Sequence, residues 1–413
     1  MNPKTFMLIA GEASGDLLAA ELVEALRAKV VAEQLDTSAD VQPLHTALVP
    51  RFFGAGGPRM AAAGVELAFD LTQHSVIGPA DALKNYFKFR RLFNQLLKLA
   101  VERQPDAIIG VDFGAFNLRF GHAIKQYVRR HRSEFTSWNP RLVQFVSPQV
   151  WASRPGRAYQ LAADYDLLLS IFPFEKDWYV KRVPNLRVEY VGHPMVGRFA
   201  NDDSRFAYGR IETASIANRK SRILLLPGSR PDELRRHLPA MLGALKLIRE
   251  ELPAAGAKMV LPDEPLAQLA KAAGTPGDCE IQTGLLPQAL AEADAALAST
   301  GTVTMECAFF GVPTVTLYKT SWANYQIAKR IVSVKWLTMP NILANEEIFP
   351  EFIQNAATPE NLAPATLELL QNEPRRVQIK MQLARVVAAL GGPGANSRAA
   401  AAVIRLLEGN ALS

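Results

Sequence analysis

The sequence predicts an α/β protein of two domains, each built on a parallel sheet. Three observations carry that expectation. The chain has 413 residues, more than one hydrophobic core usually serves, so about two domains are expected. Short apolar runs ending in glycine or a polar residue alternate with stretches of helical periodicity, twice over along the chain. Strands that are apolar nearly throughout and separated by helices belong to parallel sheets covered on both faces.

Taken in order, Phe6-Met7-Leu8-Ile9-Ala10 is the first strand, running into Gly11-Glu12-Ala13-Ser14-Gly15-Asp16. Leu17, Leu18, Leu22 and Leu26 then recur at helical spacing. Phe52 to Gly57, Ala107 to Asp112, Leu142 to Val146, Leu167 to Ile171 and Val188 to Gly192 continue this sheet. The polar stretch from Asn201 to Arg222 reads as the linker, which divides the chain into 1–205 and 206–413. Arg222 to Leu226, Lys258 to Leu261, Ala295 to Ala298 and Thr314 to Tyr318 form the second series of strands. The tail from Pro359 reads as helices, broken at Gly391-Gly392-Pro393-Gly394, and is assigned to the second domain. Ala32 to Pro50, and the basic Arg129 to Arg132 with the polar residues after it, read as mobile insertions.

Composition narrows the class. Hydrophobic residues make up 49% and charged residues 21%, as in an ordinary globular protein. The apolar stretches are too short to cross a bilayer, and no secretory signal precedes the first strand, so a cytoplasmic location is expected. Cys279, Cys307 and six scattered histidines offer neither a disulfide framework nor metal-ligand spacing; no metal or other cofactor is expected. The net charge of +6 favours an anionic partner such as a nucleotide, a lipid phosphate or a membrane face. Nucleic acid is not among the expected partners.

Ligands of doubly wound sheets bind just past the carboxyl ends of strands. The turn Gly11 to Asp16 sits there, and its acids suit a hydroxyl-bearing ligand better than a phosphate. Asp112 ends a buried strand and reads either as a general base or as a helix N-cap. Pro227-Gly228-Ser229-Arg230 reads as a phosphate cradle with an arginine fork, or as a turn whose Arg230 pairs with Glu233. Ser299-Thr300-Gly301-Thr302 leads a helix that carries Glu306. It reads as a pyrophosphate site with Glu306 on ribose hydroxyls, or as a threonine N-cap with an exposed glutamate. His193, before Pro194, is more simply a structural histidine, and Trp151 and Arg154 are loop anchors or acceptor contacts. Between Asp81 and Lys98, the apolar Leu83, Tyr86, Phe87, Phe89 and Phe93 alternate with Lys84, Lys88, Arg90 and Arg91. This is a basic amphipathic helix, lying in a bilayer interface or packed on a core with a solvated basic face.

Several of these segments together resemble the lipid-A-disaccharide synthases. They are Ala10 to Asp16, Gly56 to Met60, Val146 to Ala152, Phe172 to Lys176 and Val191 to Pro194. Leu225 to Arg230, Thr300 to Glu306, Ala328 to Arg330 and Pro340 to Ala344 follow in the family's order. The resemblance implies a GT-B glycosyltransferase, two Rossmann-like domains facing a cleft. It implies transfer from UDP-2,3-diacylglucosamine to 2,3-diacylglucosamine 1-phosphate (lipid X), with inversion and without a metal, giving a β-1,6 disaccharide and UDP. Asp112 becomes the expected base on the acceptor 6-hydroxyl, with Glu12 the competing candidate. Gly228, Ser229, Arg230, Thr300, Gly301 and Thr302 would hold the UDP phosphates, Glu306 the ribose, and Asn341 would line the donor site. Tyr86, Phe87, Lys88, Arg91 and Phe93 fall where the family docks on the inner membrane. A homodimer with exchanged C-terminal elements is implied as well. The chain departs from the family pattern at Ala115, Ser153 and Asp81, all toward the acceptor. The other readings are a UDP-sugar epimerase, a lipid II-type transferase or an inactive lipid-binding homologue. Retention of Glu12, Asp112 and Arg230 argues against the last.

Overall fold

The computed structural model describes residues 3–37, 49–74, 86–133, 137–200 and 221–409. The chain forms two compact units, Met1–Gly197 with Leu390–Ser413, and Arg198–Ala389. The first is built on seven parallel strands: β1 (Thr5–Ala10), β2 (Arg51–Gly56), β3 (Glu66–Asp70), β4 (Ala107–Val111), β5 (Arg141–Phe145), β6 (Leu167–Ser170) and β7 (Val188–Tyr190). Their spatial order is β3-β2-β1-β4-β5-β6-β7. The second has six parallel strands: β8 (Arg222–Leu226), β9 (Gly256–Leu261), β10 (Cys279–Thr283), β11 (Ala295–Ser299), β12 (Thr314–Tyr318) and β13 (Glu351–Ile353). These lie in the order β10-β9-β8-β11-β12-β13.

Hydrophobic burial explains which strands are central. Every residue of β4 and β11 is buried, as are all but the first residues of β1 and β8. With helices on both faces, a central parallel strand has no wet side, so its residues need not alternate. Register then levels the strand ends: Ala10 pairs with Val111 across β1 and β4, and Leu226 with Ala298 across β8 and β11. Chain order reverses between β1 and β4 in one sheet and between β8 and β11 in the other.

Two sequence expectations need correction. The edge strands β3, β10 and β13 escaped the reading because they are only partly buried and lack a continuous apolar run. The second is the tail. The helix Ala395–Glu408 lies in the first unit, beside the helix Ala13–Thr37, and not in a 206–413 domain. Ala399, Ala400, Val403 and Ile404 are buried there. Asn396 donates to Glu21 at 3.1 Å, and Arg398 reaches the carbonyls of Val191, Gly392 and Pro393 at 2.8, 2.8 and 2.7 Å. The expected linker, residues 201–220, lies outside the described residues, as do 38–48 and 134–136 of the two expected insertions. No described helix is long and apolar enough to cross a membrane.

Candidate functional site

Ligand crevices of doubly wound sheets open where strand order reverses. In the first unit that point lies between β1 and β4, and Glu12 and Asp112 stand just beyond these two strands. Gly11 brings their turns together, since a Cβ on it would stand 2.5 Å from the Phe113 ring. The other acid of the first turn has a structural task. Asp16, 2% exposed, accepts from the backbone N–H groups of Gly57, Arg59 and Met60 at 2.7, 3.0 and 3.1 Å. Two segments of the family pattern, Gly11–Asp16 and Gly56–Met60, are therefore one hydrogen-bonded device.

Asp112 is not the N-cap that its position allowed. The cap of the helix Gly114–His131 falls on Phe113, with no side-chain capping bond. Asp112 and Phe113 are both left-handed, with φ of 51° and 43°, and Val146 beside them at the end of β5 has φ 65°. Non-glycine residues avoid this region, a β-branched valine most of all. The Asp112 N–H donates to the Phe145 carbonyl at 2.9 Å. Its carbonyl accepts from Asn117 Nδ2 and Gln144 Nε2, both at 2.9 Å.

The loop after Val146 is tied from below. Ser147 Oγ donates to the Tyr179 hydroxyl at 3.0 Å, and Trp151 Nε1 donates to Glu175 Oε1 at 3.0 Å. Trp151 is 8% exposed, which makes it the loop anchor and withdraws it as an acceptor contact. Arg154, three residues on, is exposed. Burial pushes the Glu175 carboxyl up to about 7, against the opposing hydrogen bonds from Trp151 and Phe172. His193 takes the structural role expected of it, its Nδ1 accepting from the Met195 N–H at 3.2 Å.

The basic helix spans Tyr86–Arg103; Asp81 to Asn85 and the Tyr86 side chain lie outside the described residues. It divides along its length. Phe87 is 79% exposed and lines a shallow groove with Arg90, Arg91 and Lys98, while Lys88 is also exposed. Phe93 is corrected from the membrane face to the core, since its ring meets Phe116 and Phe120 edge-on, each at 5.5 Å. Leu96 and Ala100 are fully buried along the same face.

In the second unit the reversal lies between β8 and β11, followed by Pro227-Gly228-Ser229-Arg230 and by Thr300-Gly301-Thr302. The first turn already seats an anion. Glu233 Oε2 accepts from the Ser229 N–H at 3.2 Å, and Arg230 Nη1 meets Glu233 Oε1 at 3.4 Å. Gly228, at φ 126°, leaves room, since a Cβ there would stand 2.6 Å from the Glu233 carboxylate. A turn that accepts a carboxylate this way presents what a phosphate oxygen also needs. In the second turn Gly301, at φ 143°, caps the helix Thr302–Phe309 without a side-chain bond, so Thr302 is its first residue and not its cap. Thr300, Gly301 and Thr302 are at least partly exposed. Burial pushes the Glu306 carboxyl up to about 7, and the charge of Arg198 opposes that.

Asn341 is a correction. It is 0% exposed and every hydrogen-bonding position of its amide is taken. Nδ2 donates to Phe349 O and Glu351 Oε1 at 2.8 and 2.9 Å, and Oδ1 accepts from Ile348 N and Phe349 N, both at 2.9 Å. It staples the segment before β13 and does not line a donor surface. One residue the sequence did not single out is His237. Fully buried, it bonds through Nδ1 to the Pro227 carbonyl at 2.7 Å, while Nε2 accepts from the Lys319 N–H at 3.0 Å. It thus joins the turns after β8 and β12, and burial lowers its pKa, keeping it neutral. A lone histidine within an amphipathic helix carries no sequence signal of such a role.

The model of the lipid-A-disaccharide synthetase family matches residues 6–405. The lipid-A-disaccharide synthase of Trichlorobacter lovleyi is 32% identical over 98% of both chains. That of Solibacter usitatus is 34% identical over 98% of this chain and 97% of its own. The chain belongs to the lipid-A-disaccharide synthase family. It is a glycosyltransferase of lipid A biosynthesis, and its substrates are lipid A precursors. Among solved structures it is similar to a putative UDP-N-acetylglucosamine 2-epimerase from Listeria monocytogenes, with TM-score 0.60, 13% identity, and coverage of 98% of this chain and 96% of that one. It is also similar to MurG of Acinetobacter baumannii, with TM-score 0.52, 15% identity, and coverage of 98% and 100%. At such identities the likeness is one of fold, and the fold is GT-B.

Proposed function

We propose that this lipid-A-disaccharide synthase family member joins UDP-2,3-diacylglucosamine to the 6-hydroxyl of 2,3-diacylglucosamine 1-phosphate with inversion. Asp112 takes the hydroxyl proton as the oxygen attacks the anomeric carbon from the face opposite the leaving group. The bond from that carbon to the diphosphate breaks, and UDP carries the negative charge away. Arg230, the Gly228–Ser229 turn and the start of the helix Thr302–Phe309 receive the diphosphate, while Glu306 receives the ribose. What supports this most is placement: a carboxylate at the reversal of strand order in one sheet, and a turn that accepts an anion at the reversal in the other. Glu12 remains a second candidate for the base because it stands at the same reversal as Asp112.

The proposal includes docking of the cytoplasmic enzyme on the inner membrane through Phe87, Lys88 and Arg91, and a homodimer. Exposure of a phenylalanine among cations suits an anionic bilayer. The test is release of UDP from the two diacylated sugars. Asp112→Asn is expected to slow turnover by roughly 100-fold or more while sparing UDP binding. Arg230→Ala is expected to weaken UDP binding by about 10-fold or more, read by calorimetry. Full turnover in Asp112→Asn, with loss in Glu12→Gln, would move the base to Glu12. Conversion of UDP-N-acetylglucosamine without any lipid would favour an epimerase.

A further inference from the structure

We propose that Asn117 and Gln144 are positioning residues for Asp112, two buried amides that hold its strand-end peptide in the conformation from which the carboxylate acts. The proposal rests on the reading of Asp112 as the base. Asn117 comes from the helix Gly114–His131 and Gln144 from β5, and both donate to one acceptor, the Asp112 carbonyl, at 2.9 Å. Gln144 also donates to the Val146 carbonyl at 3.2 Å. The two amides thus grip the ends of β4 and β5, where Asp112, Phe113 and Val146 all take left-handed conformations. Such conformations persist only where the surroundings over-determine them, and they collect at functional sites.

The orientation of both amides is settled by their acceptors. Turning either over would set an oxygen against the Asp112 carbonyl. That orientation has a cost. Asn117 Oδ1 and Gln144 Oε1 are buried and have no partner among the described residues. A core selected for stability alone would carry apolar side chains here, because leaving a buried acceptor unmet is unfavourable. Room for the pair comes from Gly110 on β4, where a Cβ would stand 2.7 Å from Gln144 Oε1 and 2.8 Å from Asn117 Cγ. Gln144 is a polar residue inside an otherwise apolar run, Leu142-Val143-Gln144-Phe145-Val146.

The experiment uses the full chain with Gln144→Met, Asn117→Ala and, as reference, Asp112→Asn. Thermal midpoint, kcat, KM for both diacylated sugars and UDP affinity are measured for each. Gln144→Met is expected to keep or raise the midpoint while kcat falls about 10- to 100-fold, with KM and UDP affinity within roughly two-fold of the parent. Asn117→Ala is expected to lower kcat likewise. A folded Gln144→Met with parental kcat overturns the proposal, as does a loss confined to KM. Failure of both variants to fold overturns it too, since the amides would then be staples of the fold. If Asp112→Asn is inactive while Gln144→Met is not, only the positioning role fails. If Asp112→Asn turns over normally, the assignment of the base fails first.

Discussion

Asp112 and Asn341 show how differently two polar residues are used, one just past the end of β4 and the other within the helix Met339–Ala344. Asp112 leaves its capping chance to Phe113 and sits in a left-handed peptide at the reversal of strand order. Asn341 spends its whole hydrogen-bonding capacity inside the core. Asn341→Ala would leave the N–H groups of Ile348 and Phe349 without their acceptor. It is expected to cost about 3 kcal/mol of stability in urea unfolding, with UDP affinity unchanged in the folded fraction. A folded variant that loses UDP affinity would return Asn341 to the donor site. The two roles were not separable in sequence, because each residue simply follows or precedes an apolar stretch. Partner identity separates them, and the partners lie on other elements.

At the scale of elements, the helix Tyr86–Arg103 packs on the core along its later turns and leaves its basic residues at the surface, as one of its two sequence readings expected. Its later turns bury Leu96 and Ala100 and pack the partly buried Phe93 against the core, while Phe87 projects beside Arg90 and Arg91. Replacing Phe87 by Ser together with Arg91 by Glu is expected to lower binding to vesicles of anionic phospholipid by about 10-fold, measured by sedimentation, without changing the thermal midpoint. Undiminished binding would place the membrane contact elsewhere. The central strands were legible because burial on both faces demands unbroken apolar runs. The edge strands were not, since a half-covered strand such as β13 needs no such run.

On the whole-molecule scale, among the described residues Glu175 in the first unit and the partly buried Glu306 in the second are carboxyls pushed up to about 7. The sign follows from the unfolded chain, where such groups titrate near 4.5. Between these values the folded state holds the proton and the unfolded state has released it. The contribution to stability is therefore full below pH 4.5 and declines as pH rises toward 7. For Glu175, fully buried, the difference is on the order of 3 kcal/mol. Glu175→Gln is expected to flatten the decline of the thermal midpoint between about pH 5 and 8. A decline as steep as the parent's would show that Glu175 is ionised when folded. The chain also revisits its first unit after leaving it, through Leu390–Ser413. Its C-terminal helix covers the helix Ala13–Thr37 at a sequence separation that no local pattern spans.

From its amino acids alone, this protein was determined to be a doubled parallel α/β chain with acids after β1 and β4 and hydroxyl-glycine turns after β8 and β11. Burial and periodicity are local properties of a segment, and the order of short motifs identified the family. Tertiary structure alone decided that Trp151 anchors a loop, that Phe93 faces inward and that His237 joins two turns. It alone brought Asn117 and Gln144 onto one carbonyl. Hydrogen bonds between elements depend on where distant strands are laid side by side, and that placement is a property of the folded sheet.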